Sequence, residues 1–580
     1  MPFLPSLPSL PSLPSKSLRI GLLLAVIVTL ILNAGNIFMV LKRPGSLVDA
    51  LSPSMEETFY LSLIREAADG HPLLGNSSLL EHRDDRSIVT FFPLIPAFFM
   101  RVFHLDLSIA LFLTDLLFPF LTTLFFFIAW KGLFRHALLA IFATIIAIGA
   151  WEGGLLNVVN PKMVMLLVAA YMALLFGPSQ PSLLHFALRG VLIGVSFYTY
   201  PLYFPLFGAW EFCDVIRRVI GRKPVLRDLQ ELSTLALALI VTSLPYLLFS
   251  SFGTENPGGT DLWYRQVIPS FLPANPLLQF MLVVMIALSL FIGRKKTDSR
   301  LLASLAAGLL LLNQSLIHGL DIMFGLHYRL PLIMLLWIAG ISCIRSFIKR
   351  SSLSLLLIGI LAFFHLFSIL KINGPILFQD RNQIAQAFQE SDAPRVLKYL
   401  EGKEESVVLA PHELAEIIPV YTSNYVAWNG YANYQSVTDS ELARRYVLQE
   451  LVEPKAEALR DRTYPQVFSV HAGNAAARKR TWCRISSFLK KSEEDCRVDI
   501  RDFIRKQDAL LELEEGLLNL SPELFLSLLQ EFHVDIIVAK HSLPALITSE
   551  CPEGERIGIY TLYECEAARS MILPMRFSHV

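Results

Sequence analysis

The sequence predicts a polytopic α-helical membrane protein of about 11 spans, followed by a C-terminal extracytoplasmic α/β domain. Three observations lead there. Of the 580 residues, 53% are hydrophobic and only 17% are charged, a balance foreign to soluble chains of this length. Apolar runs of roughly 17 to 24 residues recur from Leu18 to about residue 371, each able as a helix to cross a hydrocarbon core of about 30 Å. Beyond residue 371 the apolar runs shorten and charges intersperse them. The 50 basic and 50 acidic residues cancel, so charge gives no reason to expect a nucleic-acid partner; membrane lipids are the expected surroundings.

The predicted domains are a tail over 1–17, a transmembrane domain over 18–371 and the α/β domain over 372–580. In the tail, "LPSLPSLPSLPS" (Leu4 to Ser15) repeats one tripeptide with a proline in each copy, which denies helix and sheet hydrogen bonding and predicts disorder. Lys16 and Arg19 then open the run Leu18 to Leu41, too long for a signal-peptide core and followed by no small-x-small site, hence an uncleaved first span with its N-terminus inside.

The basic loops Arg217 to Lys223, Gly293 to Arg300 and Arg345 to Arg350 are expected in the cytoplasm. "FFPLIPAFFMRVF" (Phe91 to Phe103), broken by Pro93 and Pro96, suits a partly inserted segment. Counting it as non-spanning places Lys131 and Arg135 inside, and splitting Leu183 to Cys213 at "YTYP" (Tyr198 to Pro201) into two short spans restores the parity needed for Arg217 and Arg218. On this count the outer face carries 42–106, 151–160, 251–275, 318–329 and the tail from 372.

In the α/β domain, Ser406 to Ala410, Val534 to Lys540 and Ile557 to Tyr563 are predicted strands, and Ser521 to Phe532 a capped helix. Four of the six cysteines lie there; Cys483 with Cys496 and Cys551 with Cys565 would close short loops, while free thiols fit the spacing equally well. No C-x-x-C spacing is present, so no structural metal is assigned.

The chemistry-bearing residues gather in the predicted outer loops. Ser54-x-x-Glu57 has the capping-box spacing, which accounts for one of two adjacent carboxylates. Glu56 is left over and shares a helical face with Tyr60, four residues on, a pairing suited to taking a proton from a hydroxyl. "EHRDDR" supplies Arg83 and Arg86 for a phosphate and Asp84 and Asp85 for a divalent cation or an acceptor; a solvated turn of mutual ion pairs explains it as well. His327, Tyr328 and Arg329 stand at the mouth of a span, where arginine either anchors at the interface or binds an anion, and Lys162 divides the same way. "DLWYRQ" (Asp261 to Gln266) and "YTSNYVAWNGYANYQ" (Tyr421 to Gln435) have the aromatic and amide content of sugar-binding surfaces, and also that of an aromatic belt and a buried strand and turn. Asn76-Ser77-Ser78 matches an N-glycosylation acceptor.

A long loop after the first span that opens with an acidic pair and a tyrosine, continues as an amphipathic "REAADG" helix and ends in aromatic-Pro-Leu (Phe92 to Leu94) resembles the GT-C superfamily of polyprenyl-phosphate-sugar-dependent glycosyltransferases. The protein O-mannosyltransferases and lipid A aminoarabinose transferases share this arrangement. The resemblance covers roughly residues 18 to 350 and implies Glu56 and Glu57 as the catalytic pair, Glu152 of "WEGG" as the second-loop acid, and Tyr60 beside the substrate. Where that family has Asp-Glu, this chain has Glu-Glu. The resemblance implies sugar transfer, with inversion, from a polyprenyl-phosphate donor to a lipid, glycan or protein acceptor, with no obligatory cofactor, in a bacterial inner membrane. Two other expectations compete: a transporter or lipid-handling protein whose broken helices line a path, and an inactive scaffold of the same fold.

Overall fold

The computed structural model describes residues 15–565 except 44, 52–54, 72–74, 84–91, 151–159, 178–181, 200–202, 222–225, 253–266, 270–274, 293–297, 319, 323–327, 349–350, 373–374, 404, 431, 433–436, 455–466, 468–478, 482, 485, 488–495 and 498–506. Residues 1–14 of the predicted tail lie outside the described residues, while 15–17, expected to be disordered, open the first helix.

Helices α1 (Ser15–Leu32) and α2 (Ala34–Lys42) form a bent pair, and α3 (Ser46–Leu51), α4 (Met55–Asp69) and α5 (Leu94–Phe103) follow in the loop region. The helical body continues with α6 (Leu107–Phe134), α7 (Ala137–Ala150), α8 (Asn160–Phe176), α9 (Leu183–Thr199), α10 (Phe204–Gly221), α11 (Leu226–Phe252), α12 (Pro276–Ile292), α13 (Ser299–Leu312), α14 (Arg329–Phe347) and α15 (Ser351–Ile372). Its core runs through fully buried Phe126, Trp130, Tyr171, Phe176, Phe207 and Leu335. Gly190 and Gly194, one turn apart on α9, face Leu235 and Thr242 of α11 so closely that a Cβ at either position would collide. Such small-residue spacing lets two apolar helices approach backbone to backbone.

The predicted span count is corrected by the helix lengths. Among the described residues, three helices are long and apolar enough to cross a membrane: α6, α14 and Ser352–Lys371 of α15. A fourth results if Lys16–Leu32 and Ala34–Lys42, bent by 59°, count as one broken span. This does not fit about 11 spans. Runs read as further spans fold as shorter apolar helices, among them α7, α9, α12 and α13. The 14 residues of α13 rise about 21 Å at 1.5 Å each, short of a ~30 Å hydrocarbon core. The inside and outside assignments that depended on the parity of 11 spans lose that basis. Strand β1 (Val267–Pro269) pairs antiparallel with β2 (Leu320–Ile322).

After α16 (Pro375–Glu390) and α17 (Ala393–Glu401) comes a five-stranded sheet of order β4-β3-β5-β7-β6. Its strands are β3 (Val407–Leu409), β4 (Tyr425–Val426), β5 (Ile536–Ala539), β6 (Glu553–Ile557) and β7 (Tyr560–Glu564). β3 is parallel to both β4 and β5; β7 is antiparallel to β5 and β6. β3 and β5 are buried throughout, with Val407, Leu409, Ile537 and Ala539 on one side and Val408, Ile536 and Val538 on the other, the period-2 alternation of a sheet covered on both faces. α18 (Asp439–Gln449), α19 (Gln507–Leu518) and α20 (Pro522–Glu531) cover it. Ser521 caps α20 by accepting from Leu524 N, as predicted. The predicted strand Ile557 to Tyr563 is instead a hairpin turn: Gly558 has φ +59, the conformation glycine adopts at least cost, and β6 reverses there into β7.

Both short cysteine loops are closed: Cys483 is disulfide-bonded to Cys496 and Cys551 to Cys565, while Cys213 and Cys343 of the helical body are free thiols.

Candidate functional site

The bend between α1 and α2 falls at Asn33, whose side-chain Nδ2 donates to the Thr29 carbonyl at 3.1 Å, beside the backbone bond from Asn33 N, and to the Asp115 carbonyl at 2.8 Å. One turn on, Asn36 Nδ2 donates to Asp115 Oδ2 at 2.8 Å, and Asn36 Oδ1 accepts from Arg381 Nη1 at 2.6 Å. Asp115 is fully buried on α6, and Glu57, on α4, is only 3% exposed. Burial lowers the Arg381 guanidinium from its ordinary value, and the charges of Asp115 and Glu57 act against that. Segments up to 345 residues apart in sequence thus converge on two carboxylates, one guanidinium and two amides, where α16 leaves the helical body for the α/β unit.

Beside it, Asp49 on α3 accepts from Tyr421 Oη at 2.8 Å and Gln389 Nε2 at 2.7 Å. Burial nevertheless raises its carboxyl above the ordinary range, more than those two donors and Arg43 lower it.

Residues 62–83 are fastened to the α/β unit. Val426 N donates to the Ser78 carbonyl at 2.7 Å, Asn429 Nδ2 to Ser78 Oγ at 2.8 Å, and Tyr425 Oη to Glu66 at 3.1 Å. Arg83 pairs with Glu405 at 2.9 Å and lies 6.0 Å above the Tyr425 ring. His82 meets Glu441 at 2.9 Å, and the buried Arg445 holds Glu441 at 2.7 Å and Glu81 at 3.2 Å. Burial would raise Glu441, but the His82 hydrogen bond and the Arg445 charge outweigh it and hold the carboxyl at about 2.

A second charged cluster lies within the helical body. Arg189 pairs with Glu211 and, at 3.3 Å, with Asp214; Asp214 also holds Arg217 at 2.7 Å and Arg218; Arg218 reaches Glu231 at 3.1 Å; and Tyr171 Oη donates to Glu211 at 2.6 Å. Three guanidiniums face three carboxylates.

The predicted residues scatter relative to these clusters. Glu57 joins the Arg381 cluster. Glu56 lies on α4, but its side chain, like that of Lys162 on α8, is outside the described residues, as are Ser54, Asp84, Asp85, Arg86, Glu152, His327 and "DLWYRQ". Tyr60 is half-buried against Phe59, ring centroids 5.2 Å apart. Arg83 binds the α/β unit. Tyr328 is fully buried, 6.4 Å from Tyr203, while Arg329 begins α14 exposed. Tyr425 and Trp428, the described aromatics at the centre of the amide-rich stretch, are buried on and after β4. Asn76 is buried, its Oδ1 accepting from Ser78 N and Leu79 N, so the glycosylation motif is folded inward. Among the described residues no three His, Cys, Asp or Glu are placed to hold a metal ion.

Asn33, Asn36, Asp49 and Arg381 were not singled out in the sequence. The available signal was two asparagines three residues apart in an otherwise apolar first run. No model of a known protein family matches the chain, and no curated protein matches it.

Proposed function

We propose that the chain is a membrane-associated glycosyltransferase that moves a sugar from a polyprenyl-phosphate donor to a hydroxyl acceptor. The observation that carries this reading is the convergence of Glu57, Asp115 and Arg381 at the junction of the helical body and the α/β unit. A buried carboxylate suits deprotonation of the acceptor hydroxyl as its oxygen bonds to the sugar's anomeric carbon. A guanidinium suits the charge that collects on the donor phosphate as the anomeric carbon–oxygen bond breaks. Glu57 takes the first role, with Glu56 beside it in sequence, and Arg381 the second. Three helices able to cross a membrane supply access to a lipid-linked donor. The two disulfides of the α/β unit support the reading in which that unit lies in an oxidising compartment outside the plasma membrane.

The test is transfer of radiolabelled sugar from extracted polyprenyl-phosphate donors by purified protein in lipid. Glu57→Gln is expected to lower the rate by at least about a hundredfold, the usual worth of a general base. Wild-type rates in Glu57→Gln would remove Glu57 from the chemistry, and Glu56→Gln would then be decisive for its neighbour.

One observation favours the transport reading: Arg189, Glu211 and Asp214 form a buried ionic network inside an apolar helical body, where ionisable groups mark translocation paths. Uptake of a solute into vesicles without any covalent product would select it.

A further inference from the structure

At the junction a neutral side chain joins a carboxylate to a guanidinium. Asn36 is 6% exposed and uses both ends of its amide, one on Asp115 and one on Arg381. An amide can donate to a carboxylate and accept from a guanidinium at the same time; an aspartate at that place could only accept, and an alkyl group could do neither. The side chain is aimed by its own helix. The 59° bend at Asn33 turns α2 away from the α1 axis, and the Asn33 amide fixes the bend to the Asp115 carbonyl. Met39, one turn after Asn36, packs against Ala50 and Ala385, so α2, α3 and α16 are seated as one unit around the bridge.

We infer that Asn36 is the positioning residue of this site: its amide sets the Arg381 guanidinium at a fixed place relative to the Asp115 carboxylate. The inference rests on the glycosyl-transfer reading, in which Arg381 receives the donor phosphate. Asn36 itself touches no substrate. A guanidinium released from the bridge would still carry its charge but would meet the leaving phosphate at the wrong distance, and an error of about 1 Å costs on the order of a hundredfold in rate.

The experiment compares wild type, Asn36→Ala and Asn36→Asp as full-length protein in lipid vesicles, with two readouts. The first is kcat and KM for sugar transfer. The second needs no activity: the rate at which phenylglyoxal, an arginine reagent, modifies Arg381, followed by mass spectrometry of its peptide. Asn36→Ala is expected to lower kcat about a hundredfold with KM little changed, and to speed Arg381 modification several-fold. Asn36→Asp keeps an acceptor for Arg381 and loses the donor to Asp115, so Arg381 stays protected while kcat falls. Arg381 modified at the wild-type rate in Asn36→Ala overturns the inference, and so does an unchanged kcat. Should Asn36→Ala fail to fold, Asn36→Asp decides alone: an unprotected Arg381, or wild-type kcat, overturns it. If wild type transfers no sugar, the glycosyl-transfer reading fails, and the modification rates by themselves still decide whether Asn36 holds Arg381.

Discussion

Arg189 and Arg381 each answer two carboxylates, but they are embedded differently. The partners of Arg189 come from α10, 22 and 25 residues away, and are themselves held by Arg217, Arg218 and Tyr171. Arg381 draws on α2, α4 and α6, and between it and Asp115 stands an amide. The inner knot balances its charges and satisfies them locally, as buried ion pairs must to persist. The junction instead gathers its charges from distant segments and joins two of them through an amide, which ties their spacing to the packing of several helices.

The contrast can be broken or sharpened in three ways. The largest effect is expected for Arg189→Leu, which takes from the buried Glu211 the guanidinium it pairs with: about 3–5 kcal/mol of stability lost, read from thermal unfolding in lipid or detergent. A loss below about 1 kcal/mol would mean the knot is not structural.

Next comes Glu416, a buried carboxylate of the α/β unit with His412 at 3.4 Å, whose carboxyl burial pushes up to about 7. The folded protein then keeps a proton that the unfolded chain has released. The contribution to stability is therefore full below about pH 4.5 and lost as pH rises to about 7, up to about 3 kcal/mol in all. Urea unfolding between pH 4.5 and 8 should show this slope, and Glu416→Gln should flatten it. Glu441, held at about 2, runs the other way and loses its contribution only as pH falls from about 4.5 through 2.

The smallest stability effect is expected for Arg381→Met, about 1–2 kcal/mol, because burial already disfavours that cation more than its neighbours favour it. Transfer should be abolished all the same. A large stability loss with transfer intact would reverse the roles assigned to the two arginines.

The sequence made the local elements legible. β3, β5 and α20 fall inside the predicted strands and helix, since hydrophobic alternation and a serine cap are short-range signals. The amphipathic helix over "REAADG" is α4, ended by Gly70 at φ +124. The single strand expected over Ile557 to Tyr563 failed because one glycine inside an alternating run turned the chain. The span count failed because apolar composition does not fix where a helix breaks. Glu57 and Asp115 could be noticed as acids in conspicuous places, whereas Arg381 sits in an ordinary polar helix and its partner Asn36 lies 345 residues away. Nothing local marks such a pairing.

That distance also has a consequence in time. At a synthesis rate of about 5–20 residues per second, roughly 20–70 s separate the emergence of Asn36 from that of Arg381. Tyr425, which fastens Glu66, comes later still. Until then α2 to α4 exist without the helix and sheet that hold them, with Asn36 and Glu66 lacking these partners. Pairings this far apart along the chain form late and slowly. Products truncated before α16 would carry the acidic pair and lack Arg381, so on the glycosyl-transfer reading they would stay inert until the last third of the chain arrived.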